Sequence, residues 1–288
     1  MPSLIDIRRR LKSVKNTQQI TRAMKMVAAA KLRRSQDRVV AARPYATALR
    51  EVLASVSSRV KEDAHPLLAS REERRVALLV VAGDKGLAGA FNANIHRTVA
   101  GLLAQRGWES VTILPIGKKA LDYWRRRPTP LAARSYPGIF SRVEYAHAKE
   151  MAEHVAAEFV EGRIDAAYAV YNEFKSVIAQ VVRVEKILPI ARGEGRPVAA
   201  ADATEYLYEP DPATILARLL PRYLEFVIFR VLLESAAAEH GARMTAMDAA
   251  SRNAGDMIDS LTLTYNRARQ ARITKELIEI VSGAAAQQ

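Results

Sequence analysis

Residues 7 to 36 read IRRRLKSVKNTQQITRAMKMVAAAKLRRSQ, thirty residues without a proline, a glycine or an acidic side chain. The absence of breakers extends from Ser3 to Arg43, and Ala, Arg, Lys, Leu, Met and Gln dominate the composition. All are good helix formers, so the stretch predicts one long helix. A seam of alternating three- and four-residue steps passes through Leu4, Ile7, Leu11, Val14, Gln18, Thr21, Lys25, Ala28, Leu32, Ser35, Val39 and Ala42, and resumes after Pro44 at Ala46, Leu49, Leu53, Val56 and Val60. That spacing is the heptad pattern of a coiled coil. Pro44 removes one backbone donor and crowds the preceding turn, which predicts a kink or a short break. The seam turns polar at Gln18, Thr21 and Lys25. Two readings stay open there: the helix exchanges one partner for another, or a polar layer sets register.

The other end of the chain has the same character. After Pro221 there is no proline, and a second heptad frame runs through Leu216, Leu219, Tyr223, Phe226, Arg230, Leu233, Ala237, His240, Met244, Met247, Ser251, Ala254, Ile258, Leu261, Tyr265 and Ala268. Past Ala268 the frame fails, because Ile273, Leu277, Ile278, Ile280 and Val281 spread over most of the helix circumference. A helix apolar all round is normally buried, so its tip is expected to be enclosed by another protein. Two seamed helices at opposite ends of one chain favour an antiparallel intramolecular coiled coil over a parallel homodimer, which would leave the middle as a very large loop.

The middle alternates strand and helix. Residues 76 to 82, VALLVVA, form a continuous apolar run that predicts a buried strand. Helices are expected from Asn92 to Arg106, Lys118 to Arg126 and Tyr145 to Glu161, and further strands from Val111 to Ile116, Ala166 to Tyr171 and Val177 to Ile187. Such alternation predicts a Rossmann-like α/β domain with a largely parallel sheet. The expected division is an N-terminal long helix over 1–60, an α/β domain with its linker over 61–212, and a C-terminal long helix over 213–288.

Charge and composition narrow the function classes. The 288 residues carry 44 Lys and Arg against 31 Asp and Glu, a net charge of +13. Residues 1 to 60 hold 14 of the basic and 3 of the acidic residues, so the surplus lies at the N-terminal end. Such a segment meets something anionic or is a solvated face. With no cysteine, thiol catalysis, disulfides and Cys-based zinc sites are excluded. No run approaches the roughly 18 apolar residues of a membrane span, so the chain is expected to be soluble or peripheral to a membrane.

Candidate chemistry in the middle is weak. GDKGLAG, from Gly83, follows a strand and opens a helix, the context of a phosphate-binding turn. Its glycines are spaced GxxGxxG rather than GxGxxG, and no GxxxxGK followed by Ser or Thr occurs, which favours a structural turn. Asp84 suits a helix cap better than a base. His65, His96, His147, His154 and His240 make no ligand cluster by spacing. Neither a cofactor nor a metal is expected. Two rival classes, a nucleic-acid-binding coiled coil and a dinucleotide-dependent enzyme, fare worse. The basic segment carries the seam itself and has no aromatic residue between Met1 and Arg43 to stack on bases, and the enzyme needs the missing glycine spacing.

Three blocks carry a resemblance: IRRRLKSVKNTQQITRAMKMVAAAKLRRSQ from Ile7, GDKGLAGAFN from Gly83, and the stretch from Glu234 to Ala286 containing ESAAAEHGARMTAMDAASRNA and YNRARQARITKELIEIVSGAAA. The chain resembles the gamma subunits of F-type ATP synthases, in their bacterial form. The resemblance implies a non-catalytic rotary shaft. Its terminal helices would stand inside a ring of alpha and beta subunits, with epsilon, delta and the membrane c ring as further partners and no nucleic acid. It would couple ion translocation, of protons or sodium, to cycling of the beta sites, peripheral to the cytoplasmic face of the cell inner membrane. It also implies beta-subunit contacts at Met24, Arg243, Arg269, Gln270 and Thr274, a bearing tip at Ile273, Leu277, Ile280 and Val281, and a foot for the c ring or epsilon near Tyr206 and Glu209. Ala88 stands where a cysteine is common in the family, and the cysteine-bearing insert of the chloroplast form is lacking, so thiol control is not expected. No transit peptide precedes Ile7, which favours the bacterial form.

Overall fold

The computed structural model describes residues 3–57, 65–191 and 211–285. Two long helices, α1 (Leu4–Ser57) and α5 (Pro212–Ala285), enclose in sequence a four-stranded sheet with three shorter helices: β1 (Arg75–Val81), α2 (Phe91–Gln105), β2 (Ser110–Ile116), α3 (Lys118–Trp124), α4 (Tyr145–Val160), β3 (Ala166–Phe174) and β4 (Gln180–Leu188). The fold is α/β, long terminal helices with a mixed sheet between them. Both long helices begin on side-chain caps. The Ser3 hydroxyl accepts the Asp6 amide at 3.2 Å while Asp6 reaches back to the Ser3 amide, and Asp211 accepts the Thr214 amide at 2.9 Å. Helix α1 runs through Pro44 without a break.

The chain divides into two compact units, one comprising 1–28 with 244–288 and the other 29–243. In the first unit the helices pair antiparallel. Arg8 donates to the Tyr265 hydroxyl, a Cβ on Gly255 would lie 3.2 Å from the Gln18 amide nitrogen, and Lys25 pairs with Asp248. As one number rises the other falls by the same amount, which fixes a single register. The faces turned inward are Leu4, Ile7, Leu11, Val14, Gln18, Thr21 and Ala28 on α1, and Met247, Ser251, Ala254, Ile258, Leu261, Tyr265 and Ala268 on α5, each buried or half-buried. This is the heptad frame of the sequence. Cysteines at Val14 and Ile258, inward residues within one position of facing in that register, or at a neighbouring pair, are expected to form an intrachain disulfide in a chain that has no other thiol. Dimers on non-reducing gels, in place of an intrachain link, would overturn the pairing.

In the second unit the strand order is β2-β1-β3-β4, with β1 parallel to β2 and β3 and β4 antiparallel to β3. The expectation of a largely parallel sheet holds for three strands and fails at the fourth. Between Phe174 and Gln180 the Lys175 amide reaches the Ala179 carbonyl, and a turn this short can only reverse the chain. Strand β1 is buried from Val76 to Val81 because both faces are covered. Val76, Leu78 and Val80 pack with α2 and α3, while Ala77, Leu79 and Val81 pack with α4 and with residues of α5 and α1.

Helix α5 departs from a seam here. From Leu224 to Gly241 it is buried or half-buried on every side. The heptad stripe underestimates this stretch, since Leu220, Leu224, Ile228, Val231 and Leu232 off the frame are as enclosed as the frame itself. Arg230 is held there by Glu185, by Glu234 at 3.2 Å and by the Tyr171 hydroxyl at 3.2 Å. A half-buried charge kept within such a packed stretch is stabilised by partners of this kind.

Gly117, between β2 and α3, has φ +87°, and a Cβ there would lie 1.9 Å from the Ala82 carbonyl oxygen. Only glycine fits such an approach. Gly117→Ala is expected to destabilise the chain by about 3 kcal/mol or more, read as a fall in the melting temperature. An unchanged melt would refute the approach of the two strand ends.

Candidate subunit-contact surface

The residues proposed for contact fall in three places. The first is the end of α5. Continuing the register of the first unit sets Leu4 opposite Arg269, so the turns beyond have no α1 residue beside them. Every residue from Arg269 to Ser282 is exposed, including Gln270 and Thr274. Ile273 is 46% exposed, Leu277 57%, Ile278 59%, Ile280 68% and Val281 66%, an exposed apolar cluster on one short stretch of helix of the kind that marks an interaction surface. Two i,i+4 pairs, Arg272 with Glu276 and Lys275 with Glu279, occupy the remaining charges of the tip. Arg269 has no ion pair among the described residues.

The second place is the polar layer of the coiled coil. The Gln18 amide donates to the Ser251 carbonyl at 3.3 Å, Lys25 pairs with Asp248, and Arg252 joins the same carboxylate at 3.1 Å. Thr21 is buried and donates back to the Gln18 carbonyl of its own helix at 3.0 Å. Of the two readings of the polar seam, these bonds supply the one in which it sets register. Met24 lies half-buried beside this layer.

The third is the loop from Gly83 to Gly89. Asp84 does not cap α2, the helix that the loop opens. Its Oδ1 accepts the Lys118 amide at 2.8 Å, the first residue of α3, and the Gly138 amide at 2.7 Å, while Oδ2 accepts the Phe140 amide at 2.9 Å. The cap expected from sequence is thus a cap on a helix more than thirty residues away. Asn92 takes the Gly83 amide at 2.9 Å, and the Gly83 carbonyl takes the Lys119 amide at 3.0 Å. With those groups turned inward, the turn is a structural joint. At its tip Leu87 is 63% exposed with φ +60°, a region costly for a leucine. Arg243 reaches the same tip. Its guanidinium donates to the Gly86 carbonyl at 3.3 Å, to the Lys85 carbonyl at 3.4 Å and to the Glu239 carboxylate, and its side chain is only 11% exposed. The resemblance assigns Arg243 to a partner, and the fold already occupies most of it.

Glu239 was not singled out by the sequence reading. The signal was present: an acid four residues before an arginine in the otherwise small and apolar run AAAEHGAR.

Two of the histidines are buried, packed side chains. His96 is buried and stacked on Tyr123 with ring centroids 3.8 Å apart, and burial together with Arg127 lowers its pKa to about 4. Burial, with Arg243 and Lys31, lowers His240 to about 4 as well. Both are neutral at physiological pH. No group of three or more potential metal ligands occurs among the described residues, and none of the described helices is long and apolar enough to cross a membrane. Tyr206 and Glu209 lie outside the described residues.

The ATP-synt family model, described as ATP synthase, matches residues 3–287. The ATP synthase gamma chain of Solibacter usitatus is 52% identical, with 99% of both chains covered. That of Chlorobaculum parvum is 50% identical, over 99% of this chain and 98% of its own. A chain of the Euglena gracilis mitochondrial ATP synthase has the same fold, with a TM-score of 0.70 at 19% identity over 99% of this chain and 94% of that one. A chain from the central stalk and c ring of the Tetrahymena thermophila mitochondrial ATP synthase aligns with a TM-score of 0.60 at 25% identity, over 81% of this chain and 99% of its own. With near-complete coverage at about half identity, the chain belongs to the ATP synthase gamma chain family.

Proposed function

We propose that this chain is the central rotary shaft of a proton- or sodium-translocating F-type ATP synthase and itself performs no catalysis. The observation that carries the reading is the bare end of α5, where five large aliphatic side chains face solvent on a helix that has outrun its partner. Burying such a tip requires a sleeve, and the alpha and beta subunits provide one. The c ring, epsilon and delta complete the set of partners, and the complex places the chain peripherally on the cytoplasmic side of the inner membrane. The proposed division of labour is shaft helices over 1–60 and 213–288 and an α/β body with its linker over 61–212.

The two kinds of side chain at the tip suit two tasks. Ile273, Leu277, Ile280 and Val281 make contacts without direction, which a turning shaft tolerates. Arg269 and Gln270, with Arg243 and Thr274, make directional ones, Met24 lies near the same beta contact, and a guanidinium facing a carboxylate forms and breaks with angle. A beta site is then biased among its states by contacts that differ between states, which is the only way a ligand or a shaft can shift an equilibrium.

The test is rotation. Ile178, 85% exposed in the turn between β3 and β4, is replaced by cysteine in this cysteine-free chain and coupled to a gold particle, with the alpha and beta ring fixed to glass. ATP is expected to drive unidirectional turning. Normal ATP hydrolysis with a stationary particle would sink the proposal.

A further inference from the structure

We infer that Glu239 is a positioning residue for Arg243: its buried carboxylate holds the guanidinium against the tip of the Gly83–Gly89 loop, so that loop and α5 present one fixed contact surface. The inference rests on the reading of Arg243 as a coupling contact and goes beyond it by naming what sets the orientation of that side chain.

Three observations meet at this point. The Glu239 side chain is 4% exposed and pairs through Oε1 with Arg243, which lies one helical turn along α5. The same guanidinium donates to the Lys85 and Gly86 carbonyls, so a single planar group joins the carboxylate of α5 to the backbone of the loop. Gly83 completes the fit, because a Cβ there would stand 2.8 Å from the Glu239 Cδ, and the glycine is what lets the carboxyl group lie under the loop. The base of the loop is independently fixed through Asp84, whereas its tip at Lys85 and Gly86 is tied down by Arg243.

The arrangement is costly in a way that a purely structural contact would avoid. Glu239 Oε2 is buried and has no hydrogen-bond partner among the described residues. Burial raises the Glu239 carboxyl pKa above the ordinary glutamate range, and Arg243 is the main charge opposing that rise, with Lys31 a lesser one and Asp84 adding to it. An apolar residue would fill the space without this penalty. What the carboxylate adds is direction. It fixes the plane of a five-donor fork that a lysine or an unpaired arginine would leave free to swing.

The test uses the assembled alpha, beta and gamma complex, with Leu87→Cys carrying a nitroxide in the otherwise cysteine-free chain. In the wild-type background the label is expected to be immobilised. Glu239→Gln is expected to mobilise it, with normal subunit stoichiometry, and to lower maximal ATP turnover by about threefold at unchanged KM. Arg243→Ala should lower turnover at least as far, and the double variant should lose no more than Arg243→Ala alone, since non-additivity is the mark of one residue acting through another. A label that stays ordered in Glu239→Gln, or losses that multiply in the double variant, either one alone, overturns the proposal. If Glu239→Gln fails to assemble, Arg243→Lys replaces it. That variant keeps the charge in the buried pair but cannot reach both carbonyls, and it must mobilise the label for the proposal to stand. Wild-type turnover in Arg243→Ala, with the label mobilised, would refute the coupling role of Arg243 and leave the clamp itself intact.

Discussion

Ile280→Asp combined with Val281→Asp is expected to lower the yield of assembled complex, or its ATP hydrolysis, by at least about tenfold, while deletion of residues 280 to 288 costs about threefold or less. The deletion forfeits the burial of two aliphatic side chains, a loss that an assembly held by many other contacts tolerates. It leaves Arg269, Gln270, Ile273 and Leu277 in place, so contacts that sense angle and part of the bearing persist. The aspartates forfeit the same burial and in addition carry two charges into an apolar sleeve, where an unpaired carboxylate must be neutralised or the sleeve must open. Neither substitution touches the chain's own core, because Ile280 and Val281 are 68% and 66% exposed before assembly. The comparison therefore isolates what happens at the tip after partners arrive. Hydrolysis rates and subunit stoichiometry of both variants supply the measurement. An aspartate variant that assembles and turns over like the wild type would mean the tip remains in water, and the sleeve would have to be abandoned.

Arg269→Ala with Gln270→Ala is expected to reduce ATP turnover by about thirtyfold or more with no change in the melting temperature of the isolated chain. Both residues are exposed and Arg269 has no ion pair among the described residues, so their removal leaves the coiled coil unaltered. Surface substitutions of this kind move stability by no more than about 0.5 kcal/mol. A loss of turnover then belongs to contacts made only in the complex, and a hydrogen-bonded charge pair that is removed from water costs 2 to 5 kcal/mol or so when one partner is truncated. Wild-type turnover in a complex of normal composition would remove the pair from the coupling surface. A melt lowered by several degrees would instead show that the pair supports the helix.

How far these positions could be read from sequence depended on the period of the signal. The seams of α1 and α5 were legible residue by residue in the first unit, because a two-helix contact buries one stripe and the stripe repeats every seven residues. Between Leu224 and Gly241 the same reading failed by omission. A helix surrounded on all sides has no stripe to find, and residues such as Leu232 and Ser235, both 0% exposed, carry no periodic mark. Strand β4 was placed within three residues at its start, yet its direction was hidden in the shortness of the turn before it. Asp84 was correctly seen as a capping residue, but the helix it caps comes close only in the folded chain. Glu239 lay in plain view as half of an i,i+4 pair, and what raised it above a surface pair is burial, which one-dimensional spacing does not contain.

The antiparallel pairing of the two terminal helices also dictates when this chain can fold. Arg8 and Tyr265, which touch, are separated by 257 residues. A ribosome releases α1 first, but the residues that cover its seam follow more than two hundred residues later. The sheet is in the same position, since one of its faces is closed by side chains of α5 such as Leu224, Val231 and Leu232. Contacts this distant in sequence make folding slow and leave apolar faces uncovered while synthesis proceeds. Completing the sheet core and the coiled coil therefore both await the synthesis of α5, which starts more than two hundred residues after α1. A premature stop anywhere before Leu224 removes the side chains that close this face of the core together with α5's half of the coiled coil, so truncated products should be cleared by proteolysis instead of accumulating.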